Sequence, residues 1–161
     1  MNEEQIYIFS KTWFKKNDFI ILGGQPPSGS DNIPVIEIKN INNLQKGSKG
    51  SYKPDLILQN KNNIIIAECK PFFNKLDNEK LNNIIFDDKR KETFFIELKQ
   101  KKLFKFGLEN DLNKFLQGLR YCQCFFGNYI EQEKIVLLKI LDEKGTSELI
   151  QPKLNNFKII F

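Results

Sequence analysis

The sequence predicts an α/β fold, and three observations carry that expectation. Apolar residues near the N-terminus recur at helical spacing, two short β-branched runs flank a polar turn at residues 60–63, and a long charged segment broken by apolar pairs follows them. The 161 residues suit one domain with a real core, and no internal repeat or convincing linker divides them, so residues 1–161 are expected to form a single domain.

The first element is an amphipathic helix from Glu3 to about Asn17. In it Ile6, Phe9, Trp13 and Phe14 recur near helical spacing, with Glu3, Glu4, Lys11, Lys15 and Lys16 on the polar side. A strand over Phe19 to Leu22 follows. Gly23-Gly24, Pro26-Pro27, Gly29, Gly47 and Gly50 then punctuate a long segment around one further strand, Val35 to Lys39. Long irregular segments are often functional. Lys39, Lys46, Lys49 and Lys53 of this one either line an approach to phosphates or are solvated loop residues.

The most informative part runs from Pro54 to Lys70. Leu56-Ile57-Leu58 and Ile64-Ile65-Ile66-Ala67 read as the two strands of a hairpin, with Asn60-Lys61-Asn62-Asn63 as its turn. Pairing that is symmetric about Lys61 and Asn62 sets Gln59 opposite Ile64 and Asp55 opposite Glu68. Side chains alternate along a strand, so Asp55, Ile57, Ile66, Glu68 and Lys70 share one face, and Leu56, Leu58, Ile65, Ala67 and Cys69 the other. Two carboxylates and a lysine therefore converge. Like charges opposite each other on a ladder are unfavourable. Lys70 offsets part of that repulsion, and a hard divalent cation with oxygen ligands offsets it better. The plainer alternative is a salt-bridged cluster at the end of a hairpin. Glu37-Ile38-Lys39 and Glu97-Leu98-Lys99 are also Glu-x-Lys tripeptides, but neither follows a Pro-Asp strand and a turn.

Pro71 breaks the strand, and apolar positions Leu76, Leu81, Ile84, Ile85, Phe94, Phe95, Ile96 and Leu98 predict one or two helices, interrupted near Asp87 to Glu92. Lys99 to Phe106 mixes four lysines with two phenylalanines. These either contact phosphates and bases or form a solvated face over core phenylalanines. Asn110 or Asp111 is expected to cap a helix reaching about Phe126, with Leu112, Phe115, Leu116, Leu119 and Cys122 as its apolar face. Helical spacing would stack Gln117 on Tyr121, with Lys114 and Arg120 as phosphate contacts on the same helix. Lys134 to Leu141 reads as a strand, residues 142–146 as a turn, and Leu149-Ile150 and Phe157 to Phe161 as further apolar runs that are expected to supply sheet.

Composition narrows the chemistry. Lys and Arg number 25 against 20 acids, for a net charge of +5, and the pI is near 9.0, a balance that suits a polyanionic partner. The absence of histidine excludes Ser-His-Asp and Cys-His nucleophilic sites and histidine zinc sites. Three cysteines are too few for a four-thiolate cluster, and Cys69 is expected to pack as a small apolar residue. Neither a signal peptide nor a bilayer-spanning run is visible, so a cytoplasmic protein without a membrane partner is expected.

Pro54-Asp55, the hairpin and Glu68-Cys69-Lys70 together resemble the signature of the PD-(D/E)XK nuclease superfamily, which includes many restriction endonucleases, junction resolvases and RecB-type repair nucleases. The resemblance implies a restriction endonuclease-like core: a central mixed β-sheet flanked by helices, here with a helical insertion after the Glu-x-Lys strand. It implies catalytic roles for Asp55, Glu68 and Lys70, and Mg²⁺, with Mn²⁺ as a substitute, held by Asp55, Glu68 and the backbone carbonyl of Cys69. An acid on the opening helix adds a metal contact in several members. Glu4 is the first candidate, Glu3 the alternative and Glu37 a lower one, although an acidic first turn also favours the helix dipole. Gln117-Gly118-Leu119-Arg120-Tyr121 is similar to the Gln-x-x-x-Tyr pair of RecB-type members, whereas the insertion from Pro71 to Glu109 departs from their compact arrangement. DNA contacts would fall to Gln117, Lys53, Lys114, Arg120, Lys101 and Lys102.

The expected function is a Mg²⁺-dependent DNA endonuclease of restriction type, leaving a 5′-phosphate and a 3′-hydroxyl. It would work as a homodimer or as the cleavage subunit beside a separate target-recognition subunit. A repair or recombination nuclease, either junction resolvase or RecB-type exonuclease, is the alternative within the enzyme class. A non-catalytic nucleic-acid-binding protein of the same fold is the alternative outside it.

Overall fold

The computed structural model describes residues 1–29, 31–40 and 51–161, so Lys46, Lys49, Gly47 and Gly50 of the long segment lie outside the described residues. Among the described residues, four α-helices and six strands follow in the order α1 (Glu3–Lys16), β1 (Ile20–Gly23), β2 (Leu56–Gln59), β3 (Ile64–Cys69), α2 (Lys75–Ile85), α3 (Asp88–Gln100), α4 (Leu112–Gly118), β4 (Leu119–Phe126), β5 (Val136–Ile140) and β6 (Ser147–Ile150). The strands form one mixed sheet in that same order. Pairing is antiparallel for β1–β2, β2–β3 and β5–β6, and parallel for β3–β4 and β4–β5.

The sheet is covered on both faces. α1 buries Ile6, Tyr7 and Phe14 against Leu56, Leu58, Ile65, Ala67 and the three cysteines. On the opposite face, α2, α3 and α4 contribute Leu81, Ile84, Phe94, Leu98 and Phe115 to a layer over Ile57, Ile64, Ile66, Leu119 and Tyr121. Strands buried on both faces lose the apolar–polar alternation. β2 and β3 accordingly have no exposed position.

Local chemistry explains the element ends. Asn2 caps α1 through a reciprocal pair in which its side chain accepts from the Gln5 N–H at 2.9 Å and Gln5 Oε1 accepts from the Asn2 N–H at 2.9 Å. Asn60 Oδ1 accepts from the Asn62 and Asn63 N–H groups, tightening the β2–β3 turn. Asn74, Asp87 and Asp111 cap α2, α3 and α4. The expected break near Asp87 to Glu92 falls at Phe86 and Asp87.

Three expectations are corrected. The helix from Asp111 stops at Gly118, and Leu119–Phe126 is the central strand β4 rather than further helix. A Cβ on Gly118 would stand 2.6 Å from the Asn62 carbonyl oxygen, and Asn63 Nδ2 donates to the Gly118 carbonyl at 3.0 Å, so the chain turns into the sheet at this close approach. Leu119 and Cys122, which share a face at helical spacing, pack on opposite faces of the sheet. Val35 to Lys39 holds only a single bridge, between Ile38 and Tyr52, instead of a strand. Residues 157–161 add no strand to the sheet, and Asn155–Phe157 forms a 3₁₀ turn. Among the described residues no helix is long and apolar enough to cross a membrane.

A candidate acidic site at the end of the central strands

The observed register of β2 on β3 pairs Gln59 with Ile64 and Leu56 with Ala67, which continues to Asp55 opposite Glu68. Both acids are buried, at 9% and 3% exposure, and both line a cavity of about 670 Å³ together with Lys70 and Lys53. Asp55 is anchored by the backbone N–H of Cys69, which donates to its Oδ2 at 2.7 Å. Glu68 Oε1 accepts from the Tyr52 hydroxyl. Each carboxylate is therefore held in position by a directed donor.

Burial dominates the electrostatics of the pair. Desolvation raises Asp55 to about 6, against the Cys69 hydrogen bond and the Lys70 charge, which pull it down. Glu68 is pushed up to about 8 by desolvation and by the charge of Asp55, with the Tyr52 hydrogen bond opposing. A third buried acid, Asp77 of α2, raises both further; its Oδ1 meets Lys80 Nζ at 3.2 Å and its Oδ2 has no hydrogen-bond donor among the described residues. Burial works to lower the Lys70 ammonium, but its hydrogen bond to Glu3 and the Asp55 charge outweigh that and hold it above its ordinary value. Lys70 is a firm cation in this setting.

β3 ends at Cys69, so Lys70 leaves the strand, and its Nζ reaches Glu3 Oε1 at 2.7 Å across the start of α1. The helix acid at this site is therefore Glu3, while Glu4 is exposed on the next position. The Cys69 thiol points away from the acids into the α1 face beside Cys122 and Cys124. Glu37 sits between the buried residues Ile36 and Ile38 and is itself half-buried.

The more distant candidates do not gather at the cavity. Gln117 is exposed at the end of α4, adjoining Leu119, which pairs with Ile64 at the far end of β3 from Glu68. Tyr121 lies in β4 and is buried, so the helical stacking of Gln117 on Tyr121 is lost. Arg120 is a structural residue: its guanidinium donates to the carbonyls of Lys158, Gln117 and Leu119, and its burial is 5% exposure. Lys114 is exposed on α4. Lys101 donates to the Val35 carbonyl and pairs with Glu97, Lys102 follows it at the exposed end of α3, and Phe104 of the same stretch packs with Phe95 and Phe115.

The cavity wall holds residues that the sequence reading passed over, namely Gln25, Asn40, Ser51, Tyr52, Lys80, Asn83 and Arg90. Tyr52 stands three residues before Asp55, a spacing with no sequence signature of its own. Gln123 lies beside Glu68 on the β3–β4 ladder, fully buried, with its Nε2 on the Asn74 carbonyl and its Oε1 without a donor among the described residues.

Asp55 and Glu68 offer the hard oxygen donors that Mg²⁺ takes, and Mg²⁺ is commonly held by one or two carboxylates with water and substrate oxygens completing its shell. Among the described residues, no set of three or more Cys, His, Asp or Glu side chains is gathered as a ready-made metal cage. The residues present fit a two-carboxylate ion. No protein-family model matches the chain, and neither a curated protein nor a solved structure matches it.

Proposed function

We propose that the protein is a divalent-cation-dependent DNA nuclease with a restriction endonuclease-like core, acting as a restriction-type endonuclease or as the cleavage subunit of a larger assembly. The observation that carries this reading is the convergence of buried Asp55 and Glu68 with Lys70 on one cavity. The order helix, three antiparallel strands, helices, then a strand parallel to β3 supports the core assignment.

Asp55, Glu68 and the Cys69 carbonyl would hold Mg²⁺, or Mn²⁺ in its place. Such an ion supplies Lewis-acid polarisation of a phosphoryl oxygen and a water of lowered pKa. The chain supplies the rest. Tyr52 and the Cys69 N–H hold the two carboxylates in place before any ligand arrives. Lys70, kept cationic, stabilises the attacking hydroxide and the charge that builds on the scissile phosphate, a role better matched to its raised pKa than that of general base. Lys53 at the mouth of the cavity attracts the phosphate backbone. A homodimer, with one site for each strand, is the simplest arrangement for cutting both strands.

The test is incubation of the purified protein with plasmid and with branched DNA, in Mg²⁺, in Mn²⁺ and in chelator. Metal-dependent cutting that is lost in Asp55→Asn and Lys70→Ala supports the proposal, and cutting that persists in both variants sinks it. Discrete fragments identify restriction activity, cutting confined to branched DNA a resolvase, and binding without cutting the non-catalytic alternative.

A further inference from the structure

The α2–α3 wall of the cavity carries cations that the proposed reaction does not use. Lys80 and Asn83, three apart on α2, lie on one helix face, and Arg90 in the first turn of α3 joins them around the same cavity. A cation in the first turn opposes the helix dipole, and Arg90 is held there by a loose ion pair with the N-cap Asp87. The Arg90 side chain is 11% exposed, and its Nε is buried without a hydrogen-bond partner among the described residues. The nearest acid oxygen, Asp87 Oδ2, is 3.6 Å from that Nε, beyond hydrogen-bonding distance. The Asp87 charge offsets part of the cost of burying the guanidinium, but the N–H still lacks a hydrogen-bond acceptor, which a phosphate oxygen would supply. The cavity's 670 Å³ equals about twenty water volumes, far more than one phosphate group fills.

We propose that Arg90 and Lys80 form a phosphate clamp that grips a second backbone phosphate of the substrate strand, next to the one held at Asp55, Glu68 and Lys70. Arg90 presents a planar fork that can take two oxygens of one phosphate, and the half-exposed Lys80, paired with Asp77, adds a point charge beside it. The clamp makes a polynucleotide, rather than a small phosphodiester, the ligand of this cavity. This inference rests on the nuclease reading for its scissile phosphate, but its test separates the two.

Binding of fluorescein-labelled single- and double-stranded DNA oligonucleotides is measured by anisotropy in chelator across a salt series for wild type, Arg90→Ala, Arg90→Lys, Lys80→Ala and Lys144→Ala. Plasmid cutting by the wild type in Mg²⁺ is run alongside. Arg90→Ala and Lys80→Ala should each weaken binding about five- to tenfold at low salt and flatten the log K against log salt slope by about 0.7 to 0.9. Arg90→Lys should keep most of the slope, and Lys144→Ala, in the β5–β6 turn, should match the wild type. Wild-type affinity and slope in both alanine variants would overturn the clamp even if the protein cuts. Weakened binding in those variants with no cutting by the wild type would keep the clamp and remove the nuclease reading. Should Arg90→Ala fail to fold by circular dichroism, the half-exposed Lys80 gives the same discrimination.

Discussion

Replacing Glu68 with glutamine should stabilise the metal-free protein at alkaline pH and at the same time remove its response to divalent ions. The carboxyl of Glu68 moves from 4.5 to about 8 on folding and that of Asp55 from 3.8 to about 6, both principally through desolvation. A raised acid pKa means that the folded state binds more protons than the unfolded chain between the two values. The stability these protons contribute is therefore complete below the unfolded pKa values and is lost as pH rises through about 6 and then about 8. At about 1.4 kcal/mol per unit, Glu68 alone accounts for roughly 3 to 5 kcal/mol of that loss. Glutamine keeps an amide oxygen to accept from Tyr52 but carries no charge to desolvate. At about pH 8.5 the variant should exceed the wild type by about 3 kcal/mol, after allowing for a weaker hydrogen bond to a neutral acceptor. For a chain of this size that corresponds to roughly 6 to 12 °C in Tm. At about pH 5 the folded wild type is already protonated at Glu68, and the gap should close to within about 1 kcal/mol. Saturating Mg²⁺ at a hundredfold excess over Kd should add about 2.7 kcal/mol to the wild type and nothing to the variant. Differential scanning fluorimetry over this pH range, with and without Mg²⁺, makes the comparison. Equal melting of the two proteins at both pH values, or an equal gain from Mg²⁺, would refute the reasoning.

Lys70→Ala should lower metal-dependent cutting by on the order of a hundredfold to a thousandfold, because it removes a cation aimed at the developing charge. Thermal unfolding of the same variant should move by less than about 1 kcal/mol, since the lost Lys70–Glu3 pair is partly exposed. Tyr52→Phe deprives Glu68 of its donor, and should cost about 1 to 3 kcal/mol in denaturant unfolding and shift the acidic limb of the pH–rate profile upward; an unmoved limb would detach Tyr52 from the site. Gly118→Ala drives a Cβ to 2.6 Å from the Asn62 carbonyl oxygen and should destabilise by about 1 to 3 kcal/mol, and a neutral result would place the β4 start elsewhere.

The hairpin was legible because its pattern is local. Asn60 to Asn63 can only be a turn between two β-branched runs, and once the turn is centred, counting places Asp55 opposite Glu68 without knowledge of any other element. α1, α2 and α3 were legible for a similar reason, through helical periodicity, whereas their caps Asn2, Asn74 and Asp87 are findings of the structure. Residues 119–126 were not. As a parallel strand covered on both faces, β4 has no alternation, and its apolar residues fit a helical count equally well. A helical count over this segment makes Arg120 a phosphate contact on a helix, whereas the structure buries it in β4 with its guanidinium on backbone carbonyls.

By itself the sequence determined a paired-acid hairpin with a lysine at its end, the absence of histidine chemistry and a basic surface balance, all properties of residue type and short-range spacing. The tertiary structure decided which distant groups attend that pair. Tyr52 was brought onto Glu68, Glu3 rather than Glu4 onto Lys70, and Lys80 and Arg90 around the same cavity. The physical reason is that a hairpin register is set by neighbours in the chain, whereas the burial that shifts Asp55 and Glu68, and the wall that faces them, come from elements packed around the sheet at separations no local pattern encodes.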